Sequence, residues 1–145
     1  MRYIPLAIVL LMTLSAHTCN KKTAEAAGGV EKMSSLVDTK WMLQTLKGNA
    51  LELPAGAEVP WIELKSADNS IEGFGGCNQL MGKIQIDGNN VLFPSLGSTK
   101  KYCESTMKLE TIFMGVLRKT DTFKLSDDVL TLLSEGSPVA TFTSK

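Results

Sequence analysis

The stretch "IEGFGGCNQLMG", Ile71 to Gly82, sets four glycines around a Cys-Asn pair. Glycines at such density line the phosphate loops of nucleotide-binding proteins, where a bare backbone turns its amides toward an anion. Neither phosphate pattern is present. A Walker loop needs four residues between its glycines and then Gly-Lys-Ser/Thr, whereas five residues separate Gly76 from Gly82 and Ile84 follows Lys83. The dinucleotide pattern fails at Asn78, where its third glycine belongs, and the segment that follows reads as a strand, so no helix N-terminus receives a phosphate.

The other chemical options run short of residues. His17 is the sole histidine and lies in an N-terminal leader, which leaves no imidazole for a Ser-His or Cys-His pair. Cys77 and Cys103 alone do not complete a zinc site, which needs four N or S ligands. Asp127 and Asp128 belong to a hairpin turn rather than to a calcium loop. Glu72, Glu104 and Glu110 lie near the cluster or a helix, and no spacing brings two of them together for acid–base work. The expectation is therefore a chain with no catalytic residues, no cofactor and no metal ligands. Gly73, Gly75, Gly76 and Gly82, with Asn78, are expected to build a sheet corner, because glycine permits bulges and close backbone approach.

The elements that hold this corner are mostly strands. Lys40–Leu46, 59–65, 70–75, 83–86, 91–93, 123–125, 129–133 and 139–142 are short apolar runs separated by turn residues. "DGNN", Asp87 to Asn90, is a strong hairpin signal between two of them. One segment departs from this pattern. Leu109, Ile112, Phe113, Val116 and Leu117 recur at i, i+3, i+4, i+7 and i+8, one face of an amphipathic helix that Ser105 or Thr106 can cap. The predicted fold is β-rich α+β: a strongly curved antiparallel sheet of seven or eight short strands, an open or half barrel, packed on one helix.

At 145 residues, the chain has room for one domain with a hydrophobic core. It opens with Arg2 and an apolar run from Ile4 to Leu14, too short for a membrane span of roughly 20 residues and suited to a signal peptide. Cys19 follows five residues after that run, which fits a lipoprotein cleavage box despite His17 in a position that prefers a small residue. The rival is ordinary cleavage after "AEA", Ala24 to Ala26. The expected organisation is residues 1–18 as signal peptide, 19–35 as lipid anchor and flexible tether, and 36–145 as the folded domain. With Cys19 acylated, Cys77 and Cys103 remain as an even pair in an oxidising compartment, either bridged or as two buried thiols. Loss of the leader removes Arg2 and leaves 14 basic against 15 acidic side chains, no electrostatic footprint for nucleic acid.

"GFGGCNQLMGKIQIDGNNVLF", then "GSTKKYC", a helix with "LETIFMGVL" and a final "LTLLSEGSPVATF" resemble the META/HslJ domain of heat-shock-associated envelope lipoproteins. Trp41 and Leu43 match its W-x-L element, and Gly76, Cys77, Asn78 and Gly82 its Gly-Cys-Asn element. The family's Thr-Thr-x-Met-x-Cys segment is replaced by Ser98-Thr99-Lys100-Lys101-Tyr102-Cys103. The resemblance implies a small β-rich domain without established catalytic residues and an association with heat shock and novobiocin resistance. The expected role is a non-catalytic, monomeric envelope lipoprotein, in the outer membrane facing the periplasm, that serves stress tolerance through an envelope protein partner. The alternative is a lipid- or peptide-binding accessory module that uses the half-barrel as a groove.

Overall fold

The computed structural model describes residues 36–145. The expected signal peptide, Cys19 and the expected tether of residues 20–35 lie outside the described residues. The elements run β1 (Lys40–Leu46), β2 (Asn49–Ala50), β3 (Trp61–Lys65), β4 (Ser70–Phe74), β5 (Gln79–Asp87), β6 (Asn90–Ser98), α1 (Met107–Lys119), β7 (Thr122–Ser126), β8 (Val129–Ser134) and β9 (Ser137–Ser144).

All strand pairs are antiparallel, and neighbours in the sheet are largely neighbours in sequence, as tight turns require. The turns at Lys47–Gly48 and Glu135–Gly136 each place two successive residues at left-handed φ, the twist that two-residue hairpins favour. Because β1 pairs with β3 on one side and β9 on the other, the curved sheet closes into a ring. It is not a regular barrel, since β6 and β7 share only the Asn90–Thr122 register pair before they part. α1 lies against β6 beside this split, and the Arg118 Nη2 donates to the Leu96 carbonyl at 3.2 Å.

Alternation sends one face of each strand inward, and bulges correct its phase where it slips. In β1, Trp41 and Leu43 point inward, and the register with β9 shifts between Leu43 and Thr45, so Leu46 returns to the core. In β5 and β6 a similar shift falls beside Phe93 and Pro94, where Pro94 has no amide to give the ladder. Gly73 and Gly82 allow the strands to pack this closely. A Cβ on Gly73 would sit 2.5 Å from the Trp61 carbonyl oxygen, and one on Gly82 would collide with the Ser95 carbonyl.

The core sits between the sheet and the helix. Trp41, Ile62, Leu64, Ile71, Leu130, Leu132 and Phe142 from the sheet meet Phe113 and Leu117 from α1, all fully buried. The Phe113 and Phe142 rings lie 6.1 Å apart in a tilted arrangement. The Trp41 indole donates to the Leu36 carbonyl at 2.9 Å, which ties the first described residue to this core.

The helix face is turned from the one its periodicity suggested. Its buried residues are Glu110, Phe113, Met114, Val116 and Leu117, while Leu109 and Ile112 pack only partly buried at the margin. The apolar count in the sequence placed the stripe's centre too far toward Leu109, because it excluded a carboxylate from the core face. Thr106 occupies the N-cap position without a side-chain cap bond, and the Thr106 and Met107 amides instead donate to the Cys103 carbonyl.

Candidate functional site

The carboxylate on that inward face leads directly to the glycine cluster. Gly75-Gly76-Cys77-Asn78 is the corner between β4 and β5, closed by the Gly75 amide donating to the Asn78 carbonyl at 2.8 Å. Gly76 has φ +113°, a backbone state closed to most L residues. The turn thereby made aims two successive amides at one point. Cys77 N and Asn78 N donate to Glu110 Oε2 at 3.1 and 2.6 Å, and Asn78 Nδ2 donates to Glu110 Oε1 at 2.8 Å.

This is an anion-binding concavity of convergent N–H groups, and the anion it holds is the protein's own. Glu110 is 5% exposed and, among the described residues, has no cationic partner. Three donors to its two oxygens take the place of the lost water, and bonds to an ionised acceptor are roughly twice as strong as neutral ones. Gly75 is the residue that admits the side chain. A Cβ there would lie 2.7 Å from Glu110 Cγ, 2.8 Å from Oε2 and 3.0 Å from Cδ.

Asn78 extends the network to a third segment. Its Oδ1 accepts from Thr99 Oγ1 at 2.8 Å and from Lys101 N at 2.6 Å, while its Nδ2 also donates to the Lys101 carbonyl at 3.1 Å. With the bond to Glu110, the amide uses all four of its hydrogen-bonding positions. The structure also joins Cys77 to Cys103 by a disulfide with a Cα separation of 5.8 Å. Hydrogen bonds and a covalent link therefore fasten the same three pieces: the β4–β5 corner, residues 99–103 and α1.

The arrangement leaves no free chemistry at its centre. Both carboxylate oxygens are engaged, and among the described residues no buried side-chain nitrogen or oxygen lacks a partner. No group of three His, Cys, Asp or Glu among them could hold a metal ion. Glu72 is exposed in β4 and Glu104 is exposed before α1, so neither joins Glu110. Of the cluster residues, Gly75, Gly76, Cys77 and Asn78 meet at the latch, while Gly73 and Gly82 serve the neighbouring strand contacts. Glu110 is the member that sequence reasoning names only as one of three separate carboxylates and does not join to the corner. Its signal was an acid at i of an i, i+3, i+4, i+7 set with Phe113, Met114 and Leu117.

Three surface carboxylates are held below their usual range by local bonds. For Asp38 the cause is first the Ser66 hydroxyl and then the Ser66 amide. For Asp68 the Ser70 hydroxyl leads, followed by Lys83. For Asp121 the Glu135 amide leads, followed by the Thr122 hydroxyl. Each ties a strand end to a turn.

Comparison with known proteins adds a family and a fold. A family model described as META domain matches residues 34–145. An NMR structure of a protein from Burkholderia xenovorans is 24% identical, with a TM-score of 0.62 over 76% of this chain and 83% of that one. A second NMR structure is 18% identical, with a TM-score of 0.58 over 74% of this chain and 90% of that one. At these identities the likeness is one of fold alone. No curated protein matched the chain.

Proposed function

The chain belongs to the META domain family, and from that premise we propose that it is a non-catalytic envelope lipoprotein, tethered through Cys19, that supports stress tolerance by binding an envelope protein at its surface. The observation that carries this proposal is the self-contained latch. The one buried carboxylate among the described residues spends both oxygens on internal donors, which suits a fastening rather than an acid or base for substrate. The buried side chains between sheet and helix support the same reading: Phe113, Leu117 and Phe142 are fully buried where the sheet meets α1, which favours a partner met at the surface.

The anchor rests on the leader and on Cys19, five residues past the apolar run. Stable anchoring takes two membrane signals, and three acyl chains on a lipoprotein cysteine exceed that. Mass spectrometry of the native protein tests it: a lipid-modified Cys19 N-terminus is expected, and an unmodified start near Ala27 refutes it. For the role, a deletion strain is expected to lose survival under heat and detergent stress. The wild-type gene should restore survival and a Cys19→Ser gene should not. Full rescue by Cys19→Ser would refute the need for the anchor, and an unaffected deletion strain would refute the role.

A further inference from the structure

The outer side of α1 carries a groove that the latch does not use. It measures about 280 Å³ and lies between α1 and the β1–β2 and β8–β9 turns. Ile112, Gly115, Val116 and Val139 form an apolar floor, and Lys47 and Lys119 stand at its rim. Gly115 makes the depth. A glycine inside a helix costs about 1 kcal/mol relative to alanine, yet a Cβ at Gly115 would meet nothing within 4 Å. No packing within the domain therefore calls for glycine at this position.

The rim is one-signed. No carboxylate lines the groove, and among the described residues neither Lys47 nor Lys119 has an ion-pair partner. Lys119 also answers the negative end of the helix dipole, which Lys47 on a separate turn does not. An apolar floor under two unpaired ammonium groups is complementary to a ligand with one anionic end and one apolar tail. The volume lies just under the usual small-molecule range of about 300–1,000 Å³, which admits a single short chain and excludes a diacyl lipid. A peptide finds little here, because the helix and the β8–β9 hairpin bond their own backbones.

We propose that this groove binds a free medium-chain aliphatic carboxylic acid, with the carboxylate between Lys47 and Lys119 and the chain over Gly115. The test is an NMR titration of the ¹⁵N-labelled full chain, carrying Cys19→Ser to keep it free of acyl groups. Decanoate is the probe, kept below micelle formation, with decanol, acetate and anionic phospholipid vesicles as separate arms. Saturable shifts at Ile112, Gly115 and Val139 are expected with decanoate and not with the other three. Lys47→Ala with Lys119→Ala should weaken binding by at least about tenfold, one ordinary interaction's worth. Gly115→Leu should abolish binding while the rest of the spectrum stays native, since the space is open and leucine favours helix. Absence of saturable shifts at the groove, an equal response to decanol, or full binding by Gly115→Leu would overturn the proposal. A response to vesicles alone would also overturn it, in favour of a membrane surface contact.

Discussion

Gly75 and Glu110 should behave as one unit when mutated, and a double-mutant cycle measures this. Gly75 does not occupy the left-handed region, so its backbone tolerates alanine, and the obstacle is the Glu110 side chain 2.7–3.0 Å from the added Cβ. Gly75→Ala must push the carboxylate away by several tenths of an ångström, which loosens its bonds to Cys77 N, Asn78 N and Asn78 Nδ2. Overpacking of this kind costs roughly 1–3 kcal/mol. Glu110→Ala removes the acceptor of three buried amide donors, and a buried donor left unsatisfied costs about 1–3 kcal/mol. In the double variant the alanine methyl enters space that the carboxylate has vacated. The combined cost should therefore fall short of the sum by about 1–2 kcal/mol, within the range of coupling between touching residues. Urea unfolding of the four proteins, with the disulfide kept oxidised, reads all the terms. If the two effects add within about 0.5 kcal/mol, as independent sites do, Gly75 is not there to admit Glu110.

Three further outcomes are expected. Phe113→Ala should lower stability by roughly 3–5 kcal/mol in the same urea assay, because the ring is fully buried against Phe142. A variant that melts like its parent would show that α1 does not cover the core. Replacing both Cys77 and Cys103 by serine should cost about 3.5 kcal/mol on the chain-entropy model for their separation of 26 residues. The fold should nevertheless persist, since Asn78 and Glu110 still hold the three segments, and a chain with no cooperative transition would contradict this. Asp121 has a folded pKa below its unfolded value of about 3.9, so its contribution is present above that value and disappears as pH falls through the folded one. Asp121→Asn should accordingly be less stable than the wild type at neutral pH and match it in strong acid; a gap unchanged by pH would refute the assignment.

Local structure was largely legible in the chain because it depends on local chemistry. The run "KWMLQTL" became β1 with the bounds its pattern suggested, and "DGNN" became the β5–β6 hairpin. Alternating apolar residues and turn formers decide such elements within a few positions of themselves. The META resemblance was likewise carried by motifs that survive in linear order, and the family model covers the same stretch. The glycines around Cys77 announced a special corner, but not what it faces. Closure of the ring by β1 with β9 joins residues about a hundred positions apart, such as Leu43 and Phe142. The partner of the corner is Glu110, 32 positions beyond Asn78, at i of a set with Phe113, Met114 and Leu117 whose spacing places the acid on the core face but does not say what it meets there. Only the folded chain, by setting one turn of α1 over two inward-facing amides, provides enough donors for a carboxylate to leave water. That balance depends on three-dimensional convergence, and no linear spacing records it.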